Sequence, residues 1–266
     1  MAPLEAQHSP VQLARRWVVD YFNSHDASAA REFATPDYTL HIGDYVFAGR
    51  DEQWLPAVQK QMEIFPGLGM TVHQVLASSS RAAVLFTQHG ASVGSGARVA
   101  CWSGVAIYRS DGQRLNGCVA QEDYMTRQRQ LKSGVCDPIE APAPAPWDTA
   151  VLPPDLVAEA VVRRWLGESW PSHLAAVRCD DEHITGVPLE FEVASGEFTE
   201  IYSSGPEVAF HVRQTGRYRA GFAGIAAASR DAVLHCNGIV RVSDGQVRSG
   251  RVIRDRAGLR ARLLQP

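Results

Sequence analysis

The chain switches between two hydrophobic periods, and it makes the switch twice. Leu13, Trp17 and Tyr21, flanked by Val18 and Phe22, recur at the three-to-four spacing of an amphipathic helix. His25-Asp-Ala-Ser28 then offers capping chemistry for a short second helix through Phe33. Tyr38 to Phe47 reads as extended and Asp51 to Glu63 as a third helix, with Phe65-Pro-Gly-Leu68 as its stop because proline breaks the helical hydrogen-bond ladder. From Met70 the period shortens. Met70 to Ala77, Arg81 to His89, Val99 to Tyr108 and Arg114 to Gln121, separated by Ser-, Gly- and Asp-Gly-rich turns, predict an antiparallel meander.

The same order then returns. One fixed shift carries Ala14 to Ala158, Val18 to Val162, Ser28 to Ser172, Asp37 to Asp181, Leu40 to Ile184 and Phe47 to Phe191. Leu156, Val157, Val161, Val162, Trp165 and Leu166 repeat the first helix. Ser243-Asp-Gly-Gln246 answers Ser110-Asp-Gly-Gln113, and Asp255 to Leu263 answers Asp123 to Leu131. A repeat of about half the chain predicts two units, residues 8–132 and 153–265. The Pro- and Ala-rich run 133–152 between them cannot sustain a helix or a central strand and is expected to be a linker. The second unit is shorter in its middle, where Ser195 to Pro206 leaves room for about two helical turns before Gly205-Pro206. Arg213 to Arg219 reads as part of a long strand or hairpin.

Composition narrows the function classes. Apolar residues at 45% and charged residues at 21% of a 266-residue chain describe a globular protein whose halves can each bury a core. A net charge of -3 with no basic run leaves no electrostatic footprint for nucleic acid. Met1 to Pro10 lacks the basic and apolar regions of a secretory signal, and no run approaches the roughly 18 apolar residues of a span, so a cytoplasmic protein without membrane contact is expected. The 5 cysteines are odd in number and never spaced as CxxC, which indicates neither a disulfide framework nor zinc. His41, His73, His89, His183, His211 and His235 show no compact ligand spacing, so no metal and no cofactor are expected. Trp17, Tyr21, Tyr45, Trp54 and Trp102, with Trp165 and Trp170, belong first to the cores, and some can line a pocket.

Helices followed by a curved antiparallel sheet predict an α+β fold of two tandem cone-shaped domains, in each of which the N-terminal helices close the mouth of the cone. Carboxylate pairs are the strongest candidate chemistry. Glu63 follows Asp37, and Glu207 follows Asp181, at the same separation. Two carboxyls facing one apolar cone are driven apart in pKa by desolvation and repulsion, so one keeps its proton as acid while the other is ionised as base. Aligning the shortened helix from its end would instead make Glu200 the partner of Asp181. Asp123 and Asp255 form a second repeated pair at the end of the last strand, beside Arg127 and Arg256.

The order of elements, the Pro36-Asp37 step after the second helix, Phe65-Pro-Gly-Leu68 and the Asp-Gly turn before the last strand resemble the SnoaL-like polyketide cyclases, within the larger fold family that includes ketosteroid isomerase and nuclear transport factor 2. The tandem Asp and Glu pairs resemble the two-domain polyether epoxide hydrolases of lasalocid type. That resemblance implies an enzyme that opens polyketide epoxides with internal hydroxyls to form cyclic ethers. Asp37 with Glu63, and Asp181 with Glu207, would be the catalytic pairs, Asp as acid and Glu as base. It further implies an apolar polyketide epoxide as partner, a five-membered ring closed in the first domain and a six-membered ring in the second, and domains that pair within the chain, with a homodimer left open. The rivals are an aldol cyclase or isomerase using Asp123 or Asp255, and a tandem binding module without chemistry.

Overall fold

The computed structural model describes residues 8–168, 176–228 and 231–265. Helix α1 (Pro10–Arg16) starts at a capping box: the Ser9 hydroxyl accepts from the Gln12 backbone N–H at 3.2 Å, and the Gln12 side chain accepts from the Ser9 backbone N–H at 3.0 Å. The helix widens into a π-helical stretch, Trp17–Phe22, that buries Trp17, Val18, Tyr21 and Phe22. There follow α2 (Ala30–Phe33), β1 (Ala34–Ile42), β2 (Tyr45–Ala48), a π-helical turn Arg50–Trp54 that leads into α3 (Leu55–Ile64), and β3 (Gly69–Ala77), β4 (Arg81–Ser92), β5 (Arg98–Ser110), β6 (Leu115–Glu122) and α4 (Tyr124–Ser133). The strands form one sheet in the order β2-β1-β6-β5-β4-β3, antiparallel except where β1 lies parallel to β6.

The second unit comprises α5 (Leu156–Glu168), β7 (Val177–Cys179), α6 (Glu182–Thr185), β8 (Glu190–Ser204), β9 (Glu207–Ala220), β10 (Ala232–Ser243), β11 (Gln246–Arg254) and α7 (Arg256–Leu263). Its sheet runs β7-β11-β10-β9-β8, with β7 parallel to β11, which is the order of the first sheet without β2. The architecture is therefore α+β, with two tandem units of helices on curved, mainly antiparallel sheets. Among the described residues no helix is long and apolar enough to cross a membrane.

Two expectations need correction. Ser195 to Pro206 does not form a helix. Phe191, Glu200 and Tyr202 are buried and the whole of β8 pairs with β9, so Gly205-Pro206 is the two-residue hairpin turn, Gly205 at a φ of 56° that favours glycine. The fixed shift also fails past the first helices. It holds for the buried pairs Ala14/Ala158 and Val18/Val162. However, Leu40 pairs with Cys118 while Val177 pairs with Gly250, so once the two C-terminal strands are matched Asp181 corresponds to Asp44 and not to Asp37. Trp170 and Ser172, like Met1 to Gln7, lie outside the described residues.

The two sheets pack against each other through their outer faces. Leu76, Ala83, Leu85, Val105 and Ile107 meet Tyr202, Ala209, Ile239 and Ile253 in one buried cluster. The Tyr202 hydroxyl donates to the Leu76 carbonyl at 2.7 Å, and the buried Asn237 amide donates to the carbonyls of Val105 and Val119, both at 2.9 Å. Charge surrounds this apolar seam. Arg256 reaches Asp123 at 2.6 Å and Asp181 at 2.7 Å, and its Nε is 3.3 Å from Asp180, which also binds Arg254 at 2.5 Å. Replacing the cation alone strands Asp123 and takes from Asp180 and Asp181 one of the two arginines that each binds. Arg256→Met is expected to lower the unfolding free energy by about 3–5 kcal/mol, read as a lower urea midpoint. The deficit should be smaller in mild acid than at neutral pH, since protonation relieves the stranded carboxylates.

Candidate functional site

In the first unit the helices do not fill the concave face of the sheet. A cavity of about 610 Å³ remains, walled by Trp17 and Phe22 of the first helix, Tyr38, Leu40 and Ile42 of β1, Trp54, Val58 and Gln61 around α3, Phe86 and Gln88 of β4, Ala106 and Tyr108 of β5, and Cys118, Ala120 and Glu122 of β6. Tyr124, Arg127 and Leu131 of α4 complete the wall, and Tyr45, Lys60 and Gln128 are exposed at its margin. Strand periodicity chooses these residues. Tyr38, Leu40 and Ile42 alternate inward from β1, as Cys118, Ala120 and Glu122 do from β6.

Glu122 is the sole carboxyl among the lining residues. Its Oε2 accepts from the Trp102 indole N–H at 2.8 Å and its Oε1 from the Gln88 amide at 3.2 Å; Gln88 in turn accepts from Gln61 at 2.9 Å, which fixes the direction of the chain. Burial pushes the Glu122 pKa up, against the hydrogen bonds of Trp102, Tyr124 and Gln88 and the nearby charge of Arg127. Burial also raises the hydroxyls of Tyr38, Tyr108 and Tyr124 well above the ordinary phenol range, so they remain protonated donors. The chamber thus combines an apolar body, one held carboxyl of raised pKa and several neutral donors, which is equipment for moving a proton on an apolar ligand. Among the described residues no group of His, Cys, Asp and Glu is placed to hold a metal ion.

The residues singled out in the sequence lie elsewhere. Asp37 is exposed on β1, on the face opposite Tyr38, and Glu63 is exposed on α3, away from the Val58–Gln61 edge that meets the cavity; neither lines it. The two therefore do not form the expected pair inside a cone. Asp181 is buried, but between the units: burial raises its pKa, and Arg256, Thr126 and Arg129 outweigh that and hold it below the usual carboxylate value. Glu207 begins β9 and accepts from Gln74 of the first unit at 2.9 Å, so it does not meet Asp181 in a shared pocket. Glu200, the alternative partner, is buried between Arg81, at 2.8 Å, and Arg109.

Asp123 and Asp255 are helix caps, accepting from the backbone of Thr126 at 3.1 Å and of Gly258 at 2.8 Å. Their repetition reflects the start of α4 and of α7. The residue that reasoning from the repeat passed over is the neighbour, Glu122, whose counterpart at the end of β11 is Arg254. That side chain is fully buried and bound to Asp180 and Glu182, so the second unit places a paired cation where the first places its acid.

A raised folded pKa means that the folded chain holds this proton more tightly than the unfolded chain. The contribution of Glu122 to stability is therefore complete below the ordinary value of 4.5 and declines as pH rises through the folded value. Glu122→Gln, which has no proton to lose, is expected to gain thermal midpoint relative to the wild type as pH rises from that ordinary value. A constant difference across that range would contradict the raised pKa.

Residues 14–116 match the family of the SnoaL-like domain. No curated protein matches the chain. Among solved structures, a protein from Jannaschia sp. CCS1 described as a candidate SnoaL-like polyketide cyclase is 14% identical, with a TM-score of 0.45 over 48% of this chain and 95% of that one. IdmH of Streptomyces antibioticus, described as a candidate polyketide cyclase, is 21% identical, with a TM-score of 0.42 over 47% and 99%. AclR of Streptomyces galilaeus, described as a candidate hydroxylase, is 17% identical, with a TM-score of 0.41 over 46% and 93%. Over residues 14–116, which carry the Trp17–Phe22 stretch, α3 and strands β1 to β5 but end before Glu122 and α4, the first unit is similar to the SnoaL-like domain.

Proposed function

We propose that the first unit is a cofactor-independent enzyme that closes a ring within an apolar, polyketide-like chain, with Glu122 as the group that takes and returns the proton. The observation that carries this reading is the placement of one carboxyl of raised pKa, fixed by Trp102 and Gln88, in the wall of a mainly apolar chamber. Both hydrogen bonds point into the carboxylate, which orients the ionised form as a base, while burial makes that base stronger than an exposed glutamate.

The step balances without a co-reactant. Glu122 removes a proton from a carbon flanked by carbonyls, the resulting enolate carbon attacks a second carbonyl of the same chain, and the alkoxide formed takes the proton back. Aromatic walls hold the flexible chain in a folded geometry, which lowers the entropic barrier to ring closure. The SnoaL-like domain and the descriptions of its structural neighbours agree with such a role.

Epoxide opening to an ether ring is the second reading, and the raised carboxyl favours it in one respect: burial makes the protonated form easier to keep than in an exposed glutamate, and that form can deliver its proton to an epoxide oxygen. In this reading Glu122 stands in the role the sequence reading gave to Asp37 with Glu63 and to Asp181 with Glu207.

Purified protein given a poly-β-ketone chain and, separately, a bis-epoxide polyketide, with products read by mass and NMR, decides between the two. Glu122→Gln is expected to cut turnover by roughly 10²–10⁴-fold while still binding the chain, followed by quenching of Trp17 and Trp54. The double variant Asp37→Asn with Glu63→Gln should turn over like the wild type. Full activity in Glu122→Gln, or binding without turnover in the wild type, would refute the proposal.

A further inference from the structure

The cavity has one anionic group but two cations at its wall, Lys60 and Arg127. Arg127 is held in an unusual way. Its guanidinium carbon lies 4.4 Å from the ring centre of Tyr124, 5.1 Å from Trp102 and 5.6 Å from Phe65, so three aromatic rings fix its position by cation–π attraction. None of the ion pairs formed within 4.0 Å among the described residues involves it, Glu122 included, and its side-chain N–H groups donate to no protein acceptor there. An arginine carries five donors in a planar fork that matches a carboxylate. It also stands one turn from the N-terminus of α4, where the helix dipole disfavours a cation.

We infer that the chamber takes an apolar substrate that carries a free carboxylate, and that Arg127 receives this group and so sets the direction in which the chain enters. The inference rests on the cavity being the substrate site. An apolar body would lie between the faces of Trp17, Trp54 and Phe86, while the anionic end meets the fork that the rings of Tyr124, Trp102 and Phe65 hold ready. Pre-ordering matters because a fixed donor array loses little side-chain entropy when the anion arrives. The corresponding ester or alcohol would fill the same apolar space and leave the fork with water.

The test compares decanoate with methyl decanoate and decanol in the full-length protein, at a pH where the acid is ionised, followed by tryptophan quenching and calorimetry. Wild-type protein is expected to bind decanoate roughly tenfold or more tightly than the two neutral ligands. Arg127→Gln and Arg127→Met should erase that preference by weakening the acid alone, and Arg127→Lys should keep part of it, since the charge remains and the fork does not. Unchanged affinity for methyl decanoate in these variants shows that the chamber is intact.

Equal binding of acid and ester by the wild type, a preference that survives both neutral substitutions, or one that vanishes with Lys60→Gln instead, overturns the inference while leaving the substrate site standing. Failure of all three ligands to bind overturns the substrate-site reading itself. Loss of turnover in Glu122→Gln is read independently of the comparison of acid with ester, so the carboxylate assignment can fail while the proposed function stands.

Discussion

Each sheet in this protein has two faces, and in neither unit do the helices cover more than one. The outer faces must therefore bury each other. Leu76, Leu85, Val105 and Ile107 on one side and Tyr202, Ile239 and Ile253 on the other are where that requirement is met, and much else follows from it. A pairing of two flat apolar surfaces has little directional preference, because hydrophobic contact is proportional to area and indifferent to angle. Asn237 and the charged groups at the margin supply the direction. The Asn237 amide reaches two carbonyls of the opposite sheet, and Arg256, Glu200 and Asp44 each bind partners across the boundary. Buried ion networks are weak sources of net stability, but they penalise any slipped register in which a carboxylate loses its cation.

The outer faces are alike in being buried, and the inner faces differ. The first unit keeps β2, a third helix and a wide chamber, with its carboxyl at the end of β6 and its arginine in the first turns of α4. In the second, β7 is short, no β2 equivalent flanks it among the described residues, and Arg254 with Asp180 and Glu182 occupies the matching end of the sheet. An interior holding a fully buried ion pair tolerates little rearrangement around a ligand, since moving either charge exposes the other.

Much of the fold was legible because it is written in period and punctuation. The helix through Trp17 and Tyr21, the meander, and the paired Asp-Gly turns are local signals that survive in the three-dimensional structure. Ser195 to Pro206 misled because its Gly205-Pro206 serves equally as a helix stop or a hairpin turn, and only the pairing of β8 with β9 separates the two. The candidate site was less legible. Repetition directed attention to Asp37, Asp181, Asp123 and Asp255, but what the two copies share is largely scaffold: helix caps and contacts between units. Glu122 is absent from the second copy, so a search for repeated acids passes it by. Its signal was the inward phase of Cys118 and Ala120, which requires knowing which face of β6 is concave.

The replacement of Glu122 by Arg254 in the second unit has a consequence for how the protein counts its ligands. A tandem repeat with two equal chambers would titrate with two molecules per chain and could show cooperativity between them. Here the inner face of the first sheet holds a chamber with an acid while a salt bridge closes the matching place in the second, so on the function proposed above the inner faces bind one ligand per chain and the binding curve is a simple hyperbola. In that sense the second unit is a fitted support: its outer face covers the sheet whose inner face walls the chamber.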